Sequence, residues 1–205
     1  MTQTKVELID AKNSVTISGS TPSLTIGDAG AEDTKLVFDG NAQDFYIGLD
    51  DSADDLLIGL GSTVGTTPML SFTEAGAATF KNVGTGDDNP MVLTLQTGET
   101  DIAADDVIGK IAFQAPDEGT GTDAILVSAA IQAVAEGDHS SSSNATSLQF
   151  MTGASEAAAA KMYIKSDGKV GIGTDSPTRT FGIGGDGVAA LEGSSNALTF
   201  YDSSA

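Results

Sequence analysis

The strand and turn pattern is clearest in residues 161–177, which read KMYIKSDGKVGIGTDSP. Apolar residues alternate with other residues on both sides of a central Asp167-Gly168 pair, which is the pattern of two short strands joined by a tight turn. An Asp-Gly pair suits a two-residue type I′ turn, because both central residues of that turn need a positive φ. The stretch therefore predicts a β-hairpin.

The predicted hairpin has one apolar face and one nearly bare face. The facing apolar residues are Met162 and Ile164 on the first strand with Val170 and Ile172 on the second. Gly171 and Gly173 alternate with the apolar residues of the second strand, so the other face of that strand carries no side chain. A face without side chains leaves room for another structural element to approach the backbone closely. Pro177 then ends the pairing, because proline has no N–H to donate.

The same alternation recurs between residues 21 and 82. Apolar runs there are separated by the polar stretches GNAQD, DDSADD and GSTVGTTP, each typical of a turn or loop. The spacing of the runs is close to the ~8–12 residues seen in all-β folds. The alternating apolar residues are Leu36, Phe38, Phe45, Ile47, Leu49, Leu56, Ile58, Leu60, Leu70 and Phe72. This region therefore predicts a meander of hairpins.

One hairpin plan repeats along the chain. Residues 70–80 and 162–172 each contain an alternating strand, a turn with an acid and a glycine, and a second strand. Residues 24–38, LTIGDAGAEDTKLVF, follow the same plan with a longer turn. A hairpin cannot bury a face alone, so repeated hairpins must stack on their neighbours or on other chains.

A second series of strands is predicted between residues 90 and 178. Residues 91–96 alternate clearly and predict a strand. The run AILVSAAIQAVAEG at 124–137 favours a strand, although its alanines also permit a helix. The run ASEAAAAK at 154–161 fits either a short helix capped by Ser155 or a loop.

Composition and charge restrict the class of protein. Of the 205 residues only 5% are aromatic, Trp and Cys are absent, and 25 are glycine, which suits short strands and tight turns. The formal net charge of −20 repels nucleic acid and anionic membranes, so we expect neither as a partner. No apolar run approaches the ~20 residues that span a bilayer, and the N-terminus has no signal-peptide core, so we expect no membrane insertion.

Acidic residues cluster in the predicted turns. The clusters are Asp50, Asp51, Asp54 and Asp55; Asp87 and Asp88; Asp105 and Asp106; and Asp28 with Glu32 and Asp33. None has the spacing of a helical calcium loop, so we expect solvated turns that keep sheet edges apart, with calcium or magnesium at an oligomer axis as the alternative. Glycan cleavage would need convergent carboxylates and sugar-stacking aromatics. We expect no enzyme activity and no catalytic, cofactor or metal residue.

Few other side chains are candidates for a binding role. His139 lies in a polar, Ser-rich stretch with no other His or Cys nearby, so we expect it to be exposed and without a role. Tyr46, Tyr163 and Tyr201 are the best candidates for a receptor contact, although packing within hairpins explains them equally well.

The motif G-x-V-G-I-G-T-x-x-P at 168–177 resembles the recurring motif of bacteriophage tail-fibre and tail-spike proteins, especially those of aquatic phages. The upstream order is also similar: GKIAFQAP, an alanine-rich strand, a polar loop, SLQFMTG and KMYIKSDG. The resemblance covers roughly residues 107–178, and the earlier meander only loosely. It implies an elongated homotrimer with β-strands interleaved around a three-fold axis. It further implies a place in the virion, other virion proteins as partners, attachment to a host surface glycan or protein, and no cofactor.

We therefore expect an all-β fold of elongated antiparallel hairpin and meander modules. Residues 1–20 would be an N-terminal attachment or register segment, 21–82 a β-meander module, 90–178 a β module ending in the VGIGT hairpin, and 179–205 the start of a further β segment. The expected function is that of a structural part of a phage fibre. The alternatives are a capsid-decorating fibre or cement protein, a glycan-depolymerising tail spike, and a bacterial adhesin stalk.

Overall fold

The computed structural model describes residues 17–115, 121 and 123–183. The chain divides into two compact units, Met1–Leu93 and Thr94–Ala205, and each contains one β-sheet. Within the described residues, helix is limited to one turn of 3-10 helix at Asp123–Ile125. The predicted all-β class is confirmed.

The first sheet is a five-stranded antiparallel meander in which successive strands are neighbours. Its strands are β1 (Thr34–Phe38), β2 (Phe45–Asp50), β3 (Asp55–Leu60), β4 (Pro68–Phe72) and β5 (Ala78–Phe80). All five lie within residues 21–82, so the predicted meander is confirmed. The short polar connections explain the order, because such loops join strands that lie side by side.

The register of this sheet places the alternating apolar residues of all five strands on one face. Ile47 lies opposite Leu36 on one side and opposite Ile58 on the other, and Leu70 continues the row to Phe80. The opposite face holds a small core, formed by Tyr46, Leu57 and Val64 with Val37 packed against them. The fully buried side chains of this unit therefore lie on the face with fewer apolar residues.

The predicted hairpin at 24–38 is only half formed. Its second strand is β1, but residues 24–26 belong to no strand, and β1 pairs with β2 alone. The prediction of a hairpin here is therefore wrong. Alternation shows which side chains share a face, but it does not show whether a neighbouring backbone is available for pairing.

The second sheet has six strands, again neighbours in chain order. They are β6 (Val107–Gln114), β7 (Val127–Ala135), β8 (Thr146–Thr152), β9 (Ala159–Ile164), β10 (Val170–Ile172) and β11 (Phe181–Ile183). Pairing is antiparallel from β6 to β10, whereas β11 runs parallel to β10. Strand β11 lies beyond the predicted module end at residue 178.

The two ambiguous runs both contribute strands. The alanine-rich run at 124–137 forms β7, as its alternation favoured. In the run 154–161, residues 154–157 form a bend and β9 begins at Ala159, so the helical interpretation is wrong. An isolated helix of this length is marginal, whereas Ala159 pairs with Thr152 at the end of β8.

The hairpin predicted within residues 161–177 is formed by β9 and β10, and its strands pair in the predicted register. Ile164 lies opposite Val170, and Met162 lies opposite Ile172. The turn differs from the prediction. Gly168 N donates to the Lys165 carbonyl at 2.9 Å, and of the pair Asp167-Gly168 only the glycine has a positive φ, of 81°. This is a type I turn followed by a glycine bulge, so the type I′ prediction is wrong.

The bare face of β10 is filled by the chain itself. A Cβ added to Gly171 would collide with the Thr174 carbonyl oxygen and would lie 3.4 Å from Pro177 Cδ. The expected close approach to this glycine is therefore confirmed. The approaching element is the turn that follows β10.

The strand predicted at 91–96 is wrong. These residues belong to no strand among those described. Leu95 instead lies against the second sheet, where a Cβ added to Gly109 of β6 would come within 2.9 Å of Leu95 Cβ. The alternation in this run did not show whether a neighbouring strand was available for pairing.

Candidate functional site

A polar cavity of about 340 Å³ lies on the second sheet and is the first candidate site. Its ionisable and amide-bearing lining residues are Asp105, Glu136, Gln149, Tyr163, Lys165 and Asp175. Strands β8 and β9 place Gln149 and Tyr163 side by side, because these two residues are cross-strand partners. The turn after β10 supplies Asp175.

Hydrogen bonds between side chains organise the sheet surface beside this polar cavity. Gln132 Nε2 donates to Gln149 Oε1 at 3.0 Å, and Gln149 Nε2 lies 3.4 Å from Ser147 Oγ. The Ser147 hydroxyl, which is buried, donates to the Val134 carbonyl at 3.3 Å. The Gln149 amide that faces the cavity is therefore held in place by neighbouring side chains.

Glu136 carries the main electrostatic interaction of the polar cavity. Its carboxylate lies 3.0 Å from Lys165 Nζ and accepts hydrogen bonds from the hydroxyl and the backbone N–H of Ser166. Partial burial raises the pKa of Glu136, but the hydrogen bonds from Ser166 and Lys165 together outweigh burial, so its pKa is lowered. Glu136 is therefore a stable carboxylate at neutral pH.

This arrangement suits binding better than glycan cleavage. A general acid in glycoside hydrolysis needs a raised pKa, and the pKa of Glu136 is shifted in the opposite direction. The polar cavity does offer hydroxyl, amide, carboxylate and ammonium groups on one surface. Such groups can hydrogen-bond the hydroxyls of a sugar or the backbone of a peptide.

A second candidate site is the exposed side of the first sheet, which we call the apolar face. It consists of Leu36, Phe38, Phe45, Ile47, Leu49, Leu56, Ile58, Leu60, Leu70, Phe72 and Phe80. Eight of these side chains are exposed, with fractions that reach 53% at Phe38 and 50% at Phe80. Contiguous exposed apolar surface of this kind marks an interaction site.

The acidic turns use their carboxylates to hold the backbone. Asp50 Oδ1 accepts a hydrogen bond from Ser52 N, Asp28 Oδ1 from Gly30 N, and Asp106 Oδ2 from Ala103 N, at 3.2, 3.0 and 2.7 Å. Asp54, Asp88 and Asp105 each adopt a positive φ. In the described part of the chain, no group of three or more His, Cys, Asp or Glu residues is arranged to hold a metal ion.

The aromatic and histidine candidates have different surroundings from those expected. Tyr46 is fully buried, so the prediction of a receptor contact there is wrong. Tyr163 is half-buried at the polar cavity, and Tyr201 lies outside the described residues. His139 is half-buried rather than exposed, with its Nε2 3.3 Å from Thr146 Oγ1. Alternation placed Tyr46 on the face opposite the apolar residues and gave no signal of its burial, which comes from the loop after β3.

Comparison with known proteins identifies no family: no family model matches the chain, and no curated protein matches its sequence. Among the described residues there is no helix long and apolar enough to cross a membrane.

Proposed function

We propose that this chain is a structural subunit of a bacteriophage virion fibre that associates as a homotrimer and supports or mediates host attachment. The observation that supports the proposal is an imbalance of apolar surface in the described residues. Only four large apolar side chains are buried there, Tyr46, Leu57, Val64 and Val134, whereas 23 are exposed. A chain with this much exposed apolar surface can bury more of it by associating with other chains.

The sequence motif supports the fibre assignment independently of the surface. The VGIGT hairpin forms in the predicted register, and its glycine strand packs tightly on the following turn. The resemblance of residues 107–178 to phage fibre proteins therefore centres on a hairpin whose strand register its sequence predicts.

Attachment to a host surface would be strengthened by the three-fold repetition of each binding surface in a trimer. Three identical chains present three copies of any binding surface, and simultaneous contacts raise the overall affinity well above that of one site. The polar cavity around Tyr163 is the described surface best equipped to contact a glycan or a protein, because it combines an aromatic ring with fixed amide groups.

The proposal is tested by the mass of the purified chain and by its place in the particle. Light scattering coupled to size exclusion should give three times the chain mass of 20.6 kDa. Immunogold labelling of phage particles should decorate the tail fibres. A monomeric mass would refute the fibre subunit. Labels distributed over the capsid would favour a decorating or cement protein, and release of reducing sugar from host polysaccharide would favour a depolymerising spike.

A further inference from the structure

We infer that the apolar face of the first sheet is the surface through which copies of this chain pack together, with the apolar faces of the three copies turned toward one another around a common axis. The inference rests on the proposed self-association and adds which residues make it. Its centre is Ile47, which has apolar cross-strand neighbours on both sides, Leu36 and Ile58.

The apolar face is large enough for a stable interface between copies. Its eight exposed side chains retain between 39% and 53% of their accessible surface. At about 150–250 Å² for a large side chain, this corresponds to roughly 700 Å². A standard protein interface buries about 800 Å² on each partner, so one such face supplies nearly the whole requirement.

The distribution of charge favours a second copy as the occupant. The chain carries a net charge of −20, so most of its surface repels another copy. The apolar face contains no ionisable side chain, and Asp50 and Asp55 at the end of the β2–β3 hairpin alternate to the opposite face. Two copies can therefore bring their apolar faces together without bringing these carboxylates together, and no charge on the face selects a different partner.

The other face of the same sheet is already occupied by its own chain. The loop after β3 places Val64 over the sheet, where a Cβ added to Gly48 would lie 2.9 Å from Val64 Cγ2. Lys35 on that face donates to the Ser62 carbonyl in the same loop. Packing between copies therefore has only one broad apolar face of this sheet to use.

Two stretches outside the strands lie beside the apolar face. Ile26 lies beside Leu36 and Ile47 across a cavity of about 280 Å³. Residues 90–92 lie beside Phe45 and Phe80 across a cavity of about 590 Å³. These apolar cavities would be filled by side chains of the neighbouring copies, since the apolar side chains of packed sheets interdigitate.

The test uses the absence of cysteine from the chain. In Ile47→Cys the introduced thiol is the only one, and a nitroxide attached to it reports the distance to the same site in other copies by electron paramagnetic resonance. The matched control is Thr79→Cys, because Thr79 is exposed on the opposite face of the same sheet. We expect strong dipolar broadening from the label at residue 47 and none from the label at residue 79.

The outcomes separate this inference from the proposed function. A multi-chain mass without broadening at residue 47 would overturn the inference and leave the fibre subunit standing. A monomeric mass would overturn both. A monomer whose label at residue 47 is immobilised would mean that another part of the same chain covers the face.

A charge substitution provides a second readout. Ile47→Lys should convert the oligomer into smaller species while circular dichroism retains the β signal, whereas Thr79→Lys should leave the mass unchanged. An unchanged mass for Ile47→Lys would contradict the inference. If Ile47→Lys loses its β signal, the spin-label result decides.

Discussion

The ring of Tyr46 lies over Gly59, its cross-strand partner on β3, and occupies the space that a side chain there would need. A Cβ added to Gly59 would lie 2.6 Å from Tyr46 Oη and 2.5 Å from the Thr67 carbonyl oxygen. The phenol oxygen also accepts a hydrogen bond from Gly65 N at 3.2 Å. One glycine thus allows the loop after β3 to close over the only fully buried aromatic ring among the described residues.

Replacing Gly59 with alanine should therefore destabilise the first sheet. We expect a loss of about 1–3 kcal/mol in the free energy of unfolding, the usual cost of overpacking, because one of the colliding atoms belongs to the backbone. Urea unfolding followed by circular dichroism at a fixed protein concentration measures it. Gly98→Ala is the control, since a Cβ at Gly98 meets nothing within 4 Å. Equal stability of the two variants would contradict this account of Gly59.

The VGIGT hairpin should show the same sensitivity at Gly171. Gly171→Ala places a methyl group against the Thr174 carbonyl and close to Pro177, so we expect a loss of about 1–3 kcal/mol in the free energy of unfolding. The matched control in the same unit is Gly137→Ala, which meets nothing within 4 Å. If thermal melting shifts both variants equally, the turn after β10 does not pack on the glycine as described.

Glu136 should contribute stability that depends on pH. Its pKa is lowered in the folded chain from the ordinary 4.5, so its contribution is present above that value and is lost as the pH falls through the lowered pKa. Glu136→Gln should therefore cost about 0.5–1 kcal/mol at neutral pH, as expected for a partly exposed ion pair, and the difference from wild type should vanish in acid. Melting curves between neutral pH and pH values below 4.5 measure it. Glu156→Gln, at an exposed bend, is the control for the loss of one negative charge.

The backbone at Asp54 offers a test of why acids occupy the turns. Asp54 has a φ of 55°, a conformation that Asn and Asp tolerate better than Ala. Asp54→Ala and Asp54→Asn remove the same charge, so their difference isolates the backbone. We expect Asp54→Ala to be less stable by about 1 kcal/mol in chemical unfolding. If the two variants are equally stable, only the charge of Asp54 matters.

The sequence alone is enough to predict the strand register of the β9–β10 hairpin and which side chains of a strand share a face. Alternation with period two is a local property of the extended chain, so Met162 opposite Ile172 across the tight turn, and Leu36 on the same face as Phe38, could be predicted without knowing the fold. The fibre family, the trimer and the virion location remain proposals, because the chain's own residues carry them only through resemblance.

Two features depend on the tertiary structure: which face of the first sheet is covered by the rest of the chain, and which alternating runs pair with a neighbouring strand. Tyr46 is buried because the loop after β3, which contains Gly65 and lies 19 residues further along the chain, closes over its ring beside Gly59. Residues 91–96 stay outside both sheets although they alternate as regularly as β3. Strand pairing and the burial of a face depend on backbone groups and loops that the whole fold brings close together. A local pattern of alternation does not show which of them will be close. The residues that alternate along each strand of the apolar face could thus be listed from the sequence. Their exposure could not be predicted, because it follows from the position of the small core on the other side of the sheet.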